Sequence, residues 1–223
     1  MKNVKLSLII TVLAASATIL SCKKDDAAPA PLTAVTVSDL EADPATSYDP
    51  TTGAPSGYKN KFTFFSFSTG AVVANSDSAT TKWDIGFNRT TIIVNAGTSG
   101  PGAGGALIQT GTFSDITTAP DSGYKTDDVS TTAAYFASQT PNTNFAIPTG
   151  SDAAWYHYDA TAHTITPIAG KVLVIKTATG KYAKLEILSF YKGAPATPNA
   201  YTDLDSYYTF RYNYQASGSK SLK

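Results

Sequence analysis

The sequence predicts an all-β domain: antiparallel sheets joined by hairpins, with at most one or two short helices. Three observations carry this. Short runs of β-branched and aromatic residues alternate with polar ones, the pattern of strands with one face buried. Gly, Pro, Asn, Asp and Ser punctuate the runs at close intervals. No segment between them is long and periodic enough to supply the crossover helices that a parallel sheet needs.

The chain opens with Met1-Lys2-Asn3-Val4-Lys5, an apolar run from Leu6 to Leu20, and Ser21-Cys22. A basic start, an apolar stretch short of the roughly 20 residues of a membrane span, and a small residue before a cut describe a signal peptide over residues 1–21. Ile19-Leu20-Ser21-Cys22 resembles the lipobox of bacterial lipoproteins, so Cys22, the only cysteine, is the expected lipidation site. Each buried methylene of an attached acyl chain would contribute about 0.8 kcal/mol to anchoring. Residues 22–33 read as the lipidated cysteine and a Pro-rich tether. Within it, Lys23-Lys24-Asp25-Asp26 resembles signals that send lipoproteins to the outer face of the outer membrane, or is simply a solvated linker.

A single domain is expected over residues 34–223, entered where Val35 and Val37 alternate with Thr36 and Ser38. Strands are predicted at Phe62–Phe67, Trp83–Phe87, Thr91–Val94, Trp155–Tyr158 and His163–Ile165. Further strands follow at Val172–Ile175, Tyr182–Phe190 and Tyr207–Tyr214. Between Val172–Ile175 and Tyr182–Leu188 lies Thr177-Ala178-Thr179-Gly180-Lys181, where Gly180 can supply the positive φ of a tight hairpin. In the last strand, alternation places Tyr208, Phe210, Tyr212 and Tyr214 on one face, toward the core. Ser130–Ser138 is the one stretch with the look of a short helix.

Removing residues 1–21 leaves 15 Lys and Arg against 17 Asp and Glu, with only Arg89 and Arg211 as guanidinium groups. That balance excludes the clustered cations of a nucleic-acid binder. With Cys22 acylated, no thiol remains for a disulfide. Hydrolase signatures are missing: there is no Gly-x-Ser-x-Gly elbow and no His-Glu-x-x-His, and Glu41 and Glu186 are the only glutamates. An enzyme is therefore not expected. The glycine-rich stretch 97–105 lacks the Lys-Ser/Thr of a phosphate loop and reads as a flexible connection, with a contact loop as the alternative. Asp203-Leu204-Asp205 reads as solvated loop charge rather than a calcium cage.

Several stretches together resemble one family. They are Lys82-Trp83-Asp84-Ile85-Gly86-Phe87-Asn88-Arg89 with the following Asn95–Gly102, and Trp155-Tyr156-His157-Tyr158-Asp159 with His163-Thr164-Ile165-Thr166-Pro167. Gly170–Thr177, Gly180–Leu185 and Tyr207–Tyr212 complete the series. In this order they resemble the HmuY-like lipoproteins. The resemblance implies an all-β haem-binding protein, haemophore-like, anchored in the outer membrane and facing the cell surface. It implies haem or a related tetrapyrrole as ligand, a role in iron acquisition, and delivery to a TonB-dependent outer-membrane receptor. It also implies two axial ligands, which are histidines in the founding member and methionines in some relatives.

Haem iron is held by His, Met, Cys or Tyr. Met1 is the only methionine and leaves with the signal peptide, so a pair of methionines is excluded. The candidate haem ligands are His157 and His163, with a tyrosine as substitute. If Asp159–Ala162 forms a hairpin turn, Tyr158 lies opposite His163 and His157 opposite Thr164, and the two imidazoles point to opposite sides of the sheet. A longer loop or a bulge would alter that register. Two readings stay open: haem binding within one molecule or between two, or a cofactor-free surface module of the same fold that binds a protein or glycan.

Overall fold

The computed structural model describes residues 31–49, 51, 54–129 and 142–223. The signal peptide, Cys22 and the Ser130–Ser138 segment lie outside the described residues. Within them are thirteen strands and one 3-10 turn at Asn75–Asp77. The strands are β1 (Val35–Glu41), β2 (Ser47–Tyr48), β3 (Pro55–Ser56), β4 (Thr63–Ser66), β5 (Ala71–Val73), β6 (Ile85–Asn88) and β7 (Thr91–Val94). Then come β8 (Gly105–Thr110), β9 (Tyr156–Asp159), β10 (Thr164–Pro167), β11 (Lys171–Lys176), β12 (Tyr182–Tyr191) and β13 (Asp205–Gln215).

A five-stranded sheet in the order β1-β13-β12-β11-β8 faces a four-stranded sheet in the order β5-β4-β6-β7, and β2–β3 and β9–β10 are separate hairpins. Every ladder is antiparallel, as the sequence predicts. The two sheets share one core. Phe65 and Phe87 from the smaller sheet meet Phe210 at ring distances of 5.4 and 5.5 Å, and Phe87 meets Tyr208 at 4.8 Å. Tyr208, Phe210 and Tyr212 are buried in that core, with Tyr214 packed against it, on the face that alternation assigns them.

Both sheets are also covered on their outer faces, by Phe113, Ile116 and Leu222 on one and by Trp83, Val129 and Phe145 on the other. For that reason β11 and β7 read as continuous apolar runs rather than as clean alternation. The β11–β12 hairpin forms around Thr177–Lys181 with Gly180 at φ +77°, as expected.

Three expectations need correction. In the β9–β10 hairpin Tyr158 pairs with Ile165 and His157 with Thr166, so the turn is Ala160–His163 and the register is shifted from the one predicted. The cause is Asp159, whose Oδ1 accepts the N–H groups of Thr161 and Ala162 at 2.7 and 3.0 Å and builds a wider turn, with His163 at φ +56°. The glycine-rich stretch is not a loose connection. Asn95 anchors it, donating to the carbonyls of Thr80 and Trp83 and accepting from the Gly102 N–H at 2.9 Å. A Cβ on Gly97 would stand 2.0 Å from the Asp127 carbonyl oxygen, so glycine is required for this close backbone approach. Finally, Asp203 and Asp205 are not solvated loop charges: both are half-buried, Asp203 accepts the Asn199 N–H at 2.8 Å, and Asp205 opens β13.

Candidate functional site

A cleft of about 620 Å³ lies between the β2–β3 region, the β6–β7 turn, the β9–β10 hairpin and the segment leading into β13. Two other hollows measure about 460 and 480 Å³. Six tyrosines line the larger cleft: Tyr48, Tyr58, Tyr156, Tyr158, Tyr191 and Tyr201. Tyr48, Tyr158 and Tyr201 are among the exposed large apolar residues of the chain, Tyr201 at 80% exposure. Exposed aromatics gathered at one hollow mark a binding surface better than the same residues scattered singly.

Each wall is held from behind by bonds that the local sequence dictates. Asp43 accepts the N–H groups of Lys59 and Asn60 at 2.7 and 2.8 Å and so fixes the backbone on either side of which Tyr58 and Lys61 emerge. The β6–β7 turn places Arg89 at φ +46°, and its carbonyl accepts the buried Tyr208 hydroxyl at 2.7 Å. Next to it the Thr90 carbonyl accepts from the Trp155 indole at 3.3 Å. The Arg89 guanidinium lies 4.6 Å from the centre of the Tyr58 ring. The Ile165 N–H donates to the Tyr191 hydroxyl at 2.9 Å and ties the β9–β10 hairpin to the end of β12. Asn199 Oδ1 accepts the Tyr201 N–H at 2.9 Å, in the turn that carries Tyr201 to the rim.

Arg89, His163 and Ser206 all line the cleft and all have positive φ. Non-glycine residues held in this region carry backbone strain, which concentrates at sites of binding.

Burial sets the electrostatics. It pushes the Asp205 carboxyl up from its ordinary value, against the lowering effects of the Ser206 hydroxyl and of Arg89. Burial also raises the phenols of Tyr48, Tyr58, Tyr156 and Tyr191, with Asp205 adding to the rise at three of them. These rings therefore present neutral hydroxyls at neutral pH.

The two sequence-predicted ligands sit differently. His163 lines the cleft, its Nδ1 sharing a 2.9 Å hydrogen bond with the Tyr158 hydroxyl and its ring 6.5 Å from that of Tyr201. His157 precedes Tyr158 on β9, so its side chain leaves by the opposite face of the hairpin. There its Nδ1 lies 2.9 and 3.0 Å from the two carboxylate oxygens of Asp152. The fold thus brings His163 to the tyrosines and sets His157 apart from them.

Sequence reasoning missed Tyr48, Tyr58 and Asp205 as cleft residues. No motif holds them together, although the scarcity of arginine was a usable signal for Arg89, one of only two in the chain and set between two predicted strands.

Among the described residues no helix is long and apolar enough to cross a membrane, and no group of three or more His, Cys, Asp or Glu is placed to hold a metal ion. Solved structures to which this chain is similar include a protein of Bacteroides vulgatus described as HmuY-like and heme-binding. It is 20% identical, with a TM-score of 0.49 over 80% of this chain and 90% of its own. A Bacteroides fragilis protein described as a lipoprotein is 15% identical, with a TM-score of 0.45 over 80% of this chain and 88% of its own. An apo HmuY analog from Tannerella forsythia is 16% identical, with a TM-score of 0.42 over 82% of this chain and 95% of its own. None of the curated proteins is significantly similar. The family model for HmuY protein matches residues 58–212, from the Tyr58 wall of the cleft through the β9–β10 hairpin to the core of β13; the chain belongs to the HmuY family.

Proposed function

We propose that this chain is a haem-binding, haemophore-like lipoprotein, anchored to the outer membrane through Cys22 and facing the cell surface. It takes haem into the tyrosine-lined cleft and passes it to an outer-membrane receptor of the TonB-dependent kind. The observation that carries the reading is His163: an imidazole in an aromatic cleft, with Nδ1 engaged by Tyr158 so that Nε2 is left for iron.

The residues present fit a planar, anionic macrocycle. Ligand clefts span roughly 300–1,000 Å³, a range that holds this one. Aromatic walls suit the flat faces of a porphyrin, and the Arg89 guanidinium offers the charge-assisted partner that a carboxylate edge needs. This is binding and transfer chemistry, without bond making or breaking in the substrate.

Haemin titration of the purified protein tests the reading. The expected result is a shifted, saturable Soret band, lost or greatly weakened by His163→Asn. Asparagine tolerates the positive φ at this turn, so the variant removes the imidazole while keeping the hairpin. A wild-type spectrum indistinguishable from free haemin would end the proposal. In that case the second reading stands, a cofactor-free module binding a protein or glycan, which is favoured by the presence of only one of the two imidazoles in the cleft.

A further inference from the structure

We infer that the hollow between the β4–β5 hairpin, the 3-10 turn and the β11–β12 turn binds a neutral sugar, as a second site separate from the tyrosine cleft. The inference goes beyond the haem reading and does not rest on it.

Position separates the two sites. Asp84, just before β6, and Tyr214, near the end of β13, line this hollow. Arg89, just after β6, and Ser206, at the start of β13, line the cleft. At about 3.3 Å of rise per residue, Ser206 and Tyr214 stand roughly 25 Å apart along one strand. The hollow measures about 460 Å³, within the range of small-molecule sites.

Its lining matches a polyol. Ser66, Ser68, Thr69, Thr81, Thr179 and Tyr214 bring hydroxyl-bearing side chains to it. A hydroxyl both donates and accepts, as every hydroxyl of a sugar does. Tyr214 adds a half-buried ring, and Val72, 60% exposed, adds an apolar contact. The C–H face of a pyranose packs on such surfaces while its hydroxyls stay at the polar edge.

Asp84 supplies the strongest acceptor. It is 5% exposed and still lines the hollow. Its Oδ1 accepts the Ala178 N–H at 3.0 Å and its Oδ2 the Phe67 N–H at 2.8 Å. Among the described residues no cation pairs with it. A carboxylate accepts about four hydrogen bonds, so each oxygen has room for one donor more. Sugar hydroxyls fill that room with charge-assisted bonds.

Other ligand classes fit less well. Asp77 and Asp84 repel an anion, and Lys82, which also lines the hollow, is already paired with Asp77 at 2.9 Å. An apolar ligand would cover the hydroxyls and Asp84 without offering them partners. A glycosylated molecule held here by its sugar leaves the cleft at the other end of β13 uncovered.

The test titrates the purified, isotope-labelled protein with galactose, mannose, fucose and N-acetylglucosamine and follows amide chemical shifts. At least one sugar should give saturable shifts at Thr69, Thr81 and Thr179, with Arg89 and His163 unmoved. Tyr214→Leu removes the ring and its hydroxyl and should weaken binding by about tenfold. Thr179→Arg, at an exposed turn position, fills the hollow with a long side chain and should abolish the shifts. That variant decides the question where Tyr214→Leu fails to fold.

Sugars that shift nothing, or that shift Arg89 and His163 instead, overturn the second site. So does a Thr179→Arg protein that binds as tightly as wild type. Ethylamine binding as well as the best sugar would mark a cation site at Asp84 and overturn the sugar. None of these outcomes touches the haemin titration, which reads the tyrosine cleft alone.

Discussion

Lys184 shows how a single polar side chain can organise its surroundings. It is 2% exposed, on the strand face of β12 that looks away from the main core. Its ammonium donates to the carbonyls of Phe113 and Ile116 at 2.7 and 2.8 Å and lies 4.4 Å from the centre of the Phe113 ring. Burial lowers the tendency of the amine to stay charged, and nearby Arg211 lowers it further. Two carbonyls of an irregular segment would otherwise face a hydrophobic layer without donors. Lys184→Met keeps the stem and removes the donor, and should cost about 1–3 kcal/mol, read as a lower urea midpoint at constant slope. An unchanged midpoint would mean that packing of the methylenes, not the ammonium, holds the segment.

At the scale of elements, glycines with the same backbone conformation carry unequal loads. Gly180, in the β11–β12 turn, has φ +77° and nothing within 4 Å of where a Cβ would be. Gly97, at φ +63°, presses against the Asp127 backbone. Asp127 is itself a junction: its oxygens accept from the Val94 and Ala146 N–H groups at 2.9 and 2.8 Å, joining β7 to the segment that carries Phe145. Gly180→Ala should cost about 1–2 kcal/mol, the left-handed penalty alone. Gly97→Ala adds a backbone clash and should cost more than that, with loss of the outer layer around Trp83 and Phe145. Thermal denaturation of the two variants side by side checks the difference, and equal Tm values would contradict it.

For the whole molecule, the buried carboxyls set the dependence of stability on pH. Burial raises Asp84, Asp127 and Asp205 from their ordinary values. The native state therefore holds protons that the unfolded chain has released. Their contribution is fullest below the unfolded carboxylate value of about 3.9 and is lost as pH rises through the raised native values. Exposed Asp115, Asp121, Asp152 and Asp159 are held low by hydrogen bonds, and their contribution is lost as pH falls through lowered native values. Tm should therefore be highest close to the ordinary carboxylate value of about 3.9 and decline as pH rises from there toward neutrality. Calorimetry across that range measures it, and a Tm climbing steadily from pH 4 to 8 would contradict the assignment.

The sequence by itself determined the class of fold, the antiparallel pairing, the β11–β12 hairpin and the inward face of β13. These follow from nearest-neighbour chemistry: alternation, β-branching, and a glycine where φ must be positive. Strand Thr91–Val94 was legible to the residue, whereas β8 was hidden because its first residue belongs to a glycine-rich run. Local reasoning also misjudged the β9–β10 turn, where one Asp159 side chain widened the loop and moved the register. The tertiary structure alone decided the cleft. Tyr48, Arg89, His163, Tyr201 and Asp205 come from segments scattered along the chain, and only the packing of two sheets and two hairpins brings them together. That the two imidazoles leave by opposite faces followed already from alternation; which of those faces meets the tyrosines was decided by the docking of the hairpin against the end of β12, a long-range contact that no local pattern encodes.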